Sequence, residues 1–350
     1  MNQESSKRIV VIGAGIVGAS LAYHLASKGA QVTVVEAGGI ASGVTGTSFA
    51  WINASCAGID PIAALRGGAI AAWRQLETQV PGLTVRWDGA LSYGTQDGRM
   101  SPSCMVIDRT RIAQLEPRLK QPPEQALYEP EQGALNAVSA THALLAAARA
   151  LGATVRTHTP VRGFAVHNAT VTGVETAAGV IEADTVVLAA GTGTAALAAQ
   201  LGASLPIHAS PAIFLRYQAL PGLVRGIISS HAMEVRQTDD GTMLAAEDYV
   251  DDAPENQPAA MAQRTASAIR RELEGADTIT PEFACVGLRP MPFDGVPVIG
   301  YLPQVDGAYV CAMHPGVVLA GVVGQRVSGE IVDGQPASAL EACRPARFLA

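Results

Sequence analysis

Three glycines and one carboxylate carry the first chemical signal in this chain. Gly13, Gly15 and Gly18 stand in G-x-G-x-x-G spacing, and Glu36 follows 18 positions after Gly18. In such a turn Gly13 permits the tight bend and Gly15 lets a pyrophosphate approach the main chain. Gly18 lets a helix pack closely on a strand. With Ala14, Ile16 and Val17 between and beside them, these residues form a loop that opens a helix, whose free N–H groups and positive end suit phosphates. A carboxylate at the position of Glu36 accepts ribose hydroxyls and argues against a 2′-phosphate, and so against NADP. The glycine spacing alone is a weak signal, and its context strengthens it. An apolar run, Arg8 to Ile12, precedes the turn, and a second one, Gln31 to Val35, ends at Glu36.

The elements that position this turn are predicted as a buried parallel strand, a helix over residues 16–26 and a second strand. Residues 37–51, starting at Ala37 and including Ser42, Thr47 and Ser48, are too rich in glycine for a regular element. They lie near the carboxyl ends of the strands, where ligands bind in such sheets. The alternative is a flexible surface loop, and Phe49, Trp51 and Ile52 argue against it. Residues 62–80 read as a helix. Residues 83–87 and 90–93 suggest an antiparallel hairpin around Asp88-Gly89, the first sign of a second domain. A short helix over 108–115 is capped by Asp108, and a longer one over 139–151 ends at Gly152.

Short strands and a further hairpin follow, with the turn at Ala178-Gly179. A buried run, Val186-Val187-Leu188-Ala189-Ala190-Gly191, then leads into another glycine turn and a helix. Residues 206–246 return to short strands with Asp240-Gly241 as a turn. The acids Asp239, Asp240, Glu247, Asp248, Asp251, Asp252 and Glu255 read as a solvated face, the alternative being a site for a cationic substrate. Residues 257–274 are helical. The chain closes with a proline- and glycine-rich loop over 287–300 into a strand, another strand, and a helix opening at His314-Pro315-Gly316. Three α/β pieces separated by two antiparallel ones imply a discontinuous nucleotide-binding domain with a second domain inserted twice.

The 350-residue length suits two domains, and the net charge of −7 disfavours nucleic acid and anionic membranes as partners. Five scattered cysteines, Cys56, Cys104, Cys285, Cys311 and Cys343, show no metal-binding spacing and suit reduced thiols in the cytoplasm. Met1 to Lys7 is polar and does not read as a signal peptide. The uncharged stretch over 185–207 contains Gly191, Gly193, Gln200, Gly202 and Pro206, and reads as strand, turn and helix rather than as a membrane span.

Taken together, several motifs resemble the FAD-dependent amino acid oxidase family, which includes D-amino acid oxidases and dehydrogenases, glycine oxidase and sarcosine oxidases. They are Val11 to Ser20, Glu36, Ser42 to Ala50, Val186 to Gly191, Gly287-Leu288-Arg289-Pro290, Asp294 to Gly300 and His314 to Val317. The resemblance covers essentially the whole chain in order. It implies a Rossmann-like FAD-binding domain of the glutathione-reductase type over 7–83, 139–205 and 284–345. The inserted antiparallel β-sheet substrate domain then covers 84–138 and 206–283.

It also implies FAD as the cofactor, held by the first turn, Glu36, the backbone of Val161 on the adenine side, and Ala190 and Gly191. Thr47 and Ser48 would pass near the flavin, with the N–H groups of Gly316, Val317 and Val318 at its N1–C2=O edge, where charge develops on reduction. Arg289 would clamp a substrate carboxylate, a contact suited to a guanidinium fork; the alternative is an ion pair with Asp294 or another local carboxylate. His314 is the other catalytic candidate, its alternative being a packed loop histidine. The implied reaction is oxidation of the C–N bond of an amino acid, glycine or N-alkyl amino acid, giving an imine that hydrolyses. A 2-hydroxy acid substrate, and a flavin-carrying subunit of a hetero-oligomeric dehydrogenase, are the alternatives. Gly287 stands where covalent relatives place a cysteine, which implies non-covalent FAD. Some relatives carry a basic residue just after this turn, and Pro315, Gly316, Val317 and Val318 supply none, which favours a dehydrogenase using a quinone or electron carrier over an oxidase using O2. Tyr93, Tyr217, Tyr249, His231 and Arg216 are unranked substrate contacts.

Overall fold

The computed structural model describes residues 6–53, 60–94, 101 and 103–348. Cys56 and part of the short stretch between Thr95 and Val106 lie outside them. The first strand, Arg8–Ile12, is apolar at successive positions because both its faces are covered. Ile9 and Val11 belong to a core packed under helices, while Val10 and Ile12 belong to another on the far side. Its sheet has six strands in the order Val298–Tyr301, Ala308–Ala312, Thr185–Leu188, Arg8–Ile12, Gln31–Val35 and Thr154–Arg156. All neighbours are parallel except the first pair. Helices Ile16–Ser27, Ala63–Gln79, Ala137–Ala150 and Gly316–Asp333 supply the first core, with Trp73 fully buried among them. Across the sheet lie an antiparallel layer, Gly163–His167, Thr170–Thr176 and Gly179–Glu182, and the short helix Thr194–Gln200. This is a Rossmann-like arrangement, as expected.

Helices Ile16–Ser27 and Gly316–Asp333 cross closely at Gly324. A Cβ there would lie 2.4 Å from His24 Cδ2 and 2.5 Å from Ser20 Oγ. Ser20 Oγ donates to the Ala320 carbonyl at 2.6 Å across this crossing. The segment after the last helix is tied down by Glu330, which accepts from Tyr309 Oη at 2.6 Å, Arg344 Nη1 at 2.9 Å and Ala337 N at 2.8 Å.

The second sheet has eight strands in the order Thr280–Pro292, Ile207–Gln218, Met243–Asp248, Glu234–Gln237, Ile227–Ser230, Ala90–Tyr93, Gln125–Glu129 and Met105–Asp108. Helix Pro258–Glu272 covers one face, burying Ile213, Leu215, Tyr217, Ile228 and Val235. Three expectations change. The hairpin around Asp88-Gly89 does not form: Ala90–Tyr93 pairs parallel with Ile227–Ser230 and antiparallel with Gln125–Glu129. Residues 83–87 contribute only a bridge, Arg86 to Ala134. Residues 287–292 are not loop but the end of the edge strand Thr280–Pro292, so a domain boundary at 284 would divide that strand. Proline is tolerated there because an edge strand need not donate on both sides. The 185–207 stretch is strand, turn and helix, and no helix among the described residues is long and apolar enough to cross a membrane.

Candidate cofactor and substrate site

At the first turn, backbone approaches so closely that side chains are excluded. Gly13 has φ 111°, and a Cβ on it would stand 2.4 Å from the Ala189 carbonyl oxygen. A Cβ on Gly18 would stand 2.0 Å from the Gly13 carbonyl oxygen. Glu36 lies under the same turn, accepting from Ala14 N through Oε2 and from Gly38 N through Oε1, each at 2.8 Å. Each carboxylate oxygen keeps lone pairs for further donors. The helix that starts at Ile16 has no acid in its first turn, so its positive end is not neutralised.

The loop after Glu36 folds back onto this turn. Ala41 N donates to the Ala14 carbonyl at 3.0 Å, and Ile16 N donates to Thr45 Oγ1 at 3.1 Å. Ala37 follows the acid directly, and Ser42 Oγ lies against Gly38, 2.8 Å from where a Cβ would stand. Thr159 N and His158 N donate to the carbonyls of Glu36 and Gly38, which brings the segment leading to Val161 alongside them. Ala189 and Ala190 lie against Gly13, and Gly191 follows them in the chain. Sequence reasoning passed over Thr45. Its hydroxyl, three positions after Ser42, was the available signal.

The second cluster lies where the antiparallel sheet meets the 44–52 loop. A Cβ on Gly287 would stand 2.7 Å from Thr47 Oγ1, so the loop rests on the edge strand at a residue without a side chain. Ser48 Oγ accepts from Ala50 N at 3.1 Å and shapes the loop. Two residues beyond Gly287, Arg289 donates through Nη2 to Ser210 Oγ at 3.0 Å and the Pro211 carbonyl at 3.1 Å. Among the described residues it makes no ion pair. Asp294 pairs instead with Arg347 at 2.8 Å, so the alternative considered for Arg289 does not hold.

His314 is half-buried beside it. Burial, then the nearby charges of Arg289 and Arg66, push its imidazole down to about 4, so it is neutral at neutral pH. Arg66 is paired with Asp60 at 2.7 Å. The helix beginning at Gly316 has no side-chain cap and no acid in its first turn, leaving the N–H groups of Gly316, Val317 and Val318 available. Trp73 Nε1 fixes that turn by donating to the carbonyls of Val317 and Val318 at 3.1 Å. The two helix starts are neighbours, since a Cβ on Gly316 would stand 3.3 Å from Val17 Cγ2. The two positive helix ends therefore lie side by side, one at the glycine turn and the other at His314.

A buried arginine that sequence reasoning missed joins the sheet to the loop. Arg236 is 4% exposed and donates through Nε to the Phe49 carbonyl at 2.6 Å and through Nη2 to the Leu135 carbonyl at 2.9 Å. Its guanidinium lies 5.4 Å from the centre of the Phe49 ring. The unranked contacts disperse. Tyr217 is fully buried under the covering helix with Oη on the Ala262 carbonyl, and Tyr93 packs into the same core. Arg216 pairs with Glu282, Tyr249 Oη bonds Asp252, and His231 lies against Gly94. No group of three metal-ligating side chains occurs among the described residues.

The donor set fits a dinucleotide with an extended second half: a backbone cradle that a Cβ would fill, a carboxylate under it, and a second helix start further on. Comparison with known proteins agrees. A family described as FAD dependent oxidoreductase (DAO) matches residues 8–329. The chain is 26% identical over 363 residues to a glycine oxidase of Pseudomonas putida, covering 95% of this chain and 96% of the other. It is 27% identical over 375 residues to one of the subunits of an opine oxidase of Agrobacterium tumefaciens, covering 98% of each. Among solved structures, an L-amino acid deaminase from Proteus vulgaris superposes with a TM-score of 0.87 at 19% identity, covering 99% of this chain and 96% of that one.

Proposed function

This chain belongs to the family of FAD dependent oxidoreductases, and from that premise we propose that it oxidises the C–N bond of an amino acid, glycine or N-alkyl amino acid. FAD, bound without a covalent link, would supply the hydride acceptor. The glycine turn, Glu36 and the Val161 segment hold its ADP half. The 47–48 loop and the helix at Gly316 border the other half.

The single observation that carries the substrate reading is Arg289, a half-buried guanidinium with no acidic partner among the described residues, held in place by Ser210 and Pro211. A guanidinium so placed, with Nε and Nη2 spent on Ser210 and Pro211, keeps its Nη1 hydrogens for a substrate carboxylate and so fixes the adjacent C–H. His314, neutral beside it, does not compete for that carboxylate. It can take or give one hydrogen bond in the site without adding charge. The substrate amine loses its proton to water, and water then hydrolyses the imine to a carbonyl compound and an amine. The electrons pass to O2, a quinone or an electron carrier, in a cytoplasmic enzyme. A second reading is favoured by the full-length likeness to a single subunit of an opine oxidase: the chain is the flavin-bearing subunit of a hetero-oligomer and turns over only with its partner.

Anaerobic mixing of the yellow holoenzyme with D-amino acids, N-methyl amino acids and 2-hydroxy acids tests the first reading. Bleaching of the flavin by amines is expected. Bleaching by hydroxy acids alone would overturn it, and bleaching by amines only after a partner is added would establish the second.

A further inference from the structure

The largest fully buried side chain among the described residues, Trp73, carries a single polar atom, and that atom serves the helix start at Gly316. Trp73 Nε1 lies 3.1 Å from the Val317 carbonyl oxygen and 3.1 Å from that of Val318, so one indole N–H is shared between two acceptors of the first turn. Two glycines bring the indole within reach. A Cβ on Gly321 would stand 3.2 Å from Ala72 Cβ and 3.2 Å from Leu76 Cδ1, and one on Gly68 would stand 3.2 Å from Val322 Cγ2. Helix Ala63–Gln79 therefore lies close against helix Gly316–Asp333, with Trp73 at the turn that opens the second helix.

An α-helix already offers each of these carbonyls the N–H four residues on, so the indole adds a second donor rather than filling a vacancy. Its effect passes through the peptide bond. The Val317 carbonyl shares a peptide unit with the Val318 N–H. A donor on the oxygen polarises that unit and makes its N–H the stronger donor. The Val318 N–H is among the first of the helix, which have no acceptor within it. The indole is neutral, so it strengthens and fixes this N–H without adding a charge. Adding two electrons and one proton to a flavin leaves one negative charge, which such an N–H stabilises.

We infer that Trp73 is a positioning residue for the cofactor: its indole N–H holds the helix start and raises the reduction potential of the flavin bound beside it. This rests on the reading that the helix at Gly316 borders the flavin, and it names the residue that tunes that contact. In the sequence Trp73 reads as a core residue of a helix, because the carbonyls it reaches lie 244 and 245 residues further on.

The test needs no substrate. Reduction of the holoenzyme by dithionite beside a dye of known potential gives the flavin midpoint. Trp73→Phe keeps an apolar ring and loses the donor, and is expected to shift the midpoint to more negative values. Leu76→Ala opens space beside Gly321 but keeps the indole, and is expected to lower the melting temperature without that shift. An unchanged midpoint in Trp73→Phe, or an equal shift in both variants, would overturn the inference. The parent holoenzyme gives a second readout that does not depend on a variant folding. With isotope-labelled tryptophan and valine, reduction is expected to move the Trp73 indole and Val318 amide signals downfield, while Trp87, bonded to Glu77, serves as the reference. A Val318 signal that moves while Trp73 stays still overturns this inference alone. If both stay still, the helix does not border the flavin, and the reading on which the inference rests fails with it.

Discussion

Gly13 has no room for a methyl group. Its φ of 111° and the Ala189 carbonyl oxygen 2.4 Å from a Cβ mean that Gly13→Ala must displace backbone rather than a flexible side chain. The expected result is a folded protein that purifies colourless or loses FAD at least tenfold more readily, measured by flavin fluorescence on dilution. This residue was legible in the sequence because its role is local: the strand, the turn and the acid all lie within the first 36 positions. Arg289 was legible only through its Leu-Arg-Pro context. Its lack of an acidic partner among the described residues was not, since that depends on Arg347, 53 residues beyond Asp294, claiming the carboxylate. Arg236 was invisible. It lies between Val235 and Gln237 in a short alternating strand, and its burial arises from two carbonyls, of Phe49 and Leu135, on distant segments.

Elements carry the next level of constraint. The Asp-Gly pair at 88–89 is a strong local hairpin signal, yet Gly89, at φ 79°, delivers Ala90–Tyr93 to a parallel partner 137 residues away, at Ile227. Pairing between sheet strands won over turn chemistry, and no local pattern records that. The prolines at 281, 290 and 292 pointed away from a strand, and the edge position of Thr280–Pro292 is what tolerates them. Arg236 stitches this sheet to the 44–52 loop. Replacing it with glutamine leaves two carbonyls without their charged donor, and the expected loss is about 2 kcal/mol or more of stability, read from denaturant midpoints. At the helix crossing, Gly324→Leu drives a side chain into Ser20 and His24. That variant is expected to lose about 1–3 kcal/mol, the range for overpacking a dense core.

At the scale of the whole molecule, a buried histidine, His24, and a half-buried one, His314, set a pH limit. Burial, reinforced by Lys28, pushes His24 down from 6.5 to about 4, and His314 falls to about 4 for the reasons given above. Between pH 6.5 and 4 the unfolded chain holds protons on these imidazoles that the folded chain does not. Stability is therefore complete above about 6.5 and falls as the pH drops towards 4, by up to about 3 kcal/mol for a histidine shifted this far. Thermal melts of the FAD-free protein across that window are expected to show the decline, and His24→Leu to flatten part of it. The arrangement of two sheets, one Rossmann-like and one antiparallel, followed from the order of segments along the chain. The face that the second sheet turns to the cofactor followed only from register.

The central claim is that Arg289 holds the carboxylate of an amino acid at the cofactor site. It is tested most directly by rapid mixing of an amino acid that bleaches the flavin with the parent holoenzyme and with Arg289→Ala, without oxygen, over a range of concentrations. A lost charged hydrogen-bonded pair corresponds to roughly 1.5–3 kcal/mol, or about tenfold to a hundredfold in the concentration giving half-maximal reduction. The account predicts a rise of that size for amino acids, with little change for the corresponding amines that lack a carboxylate. An unchanged concentration dependence, or an equal loss for amines without a carboxylate, would contradict it.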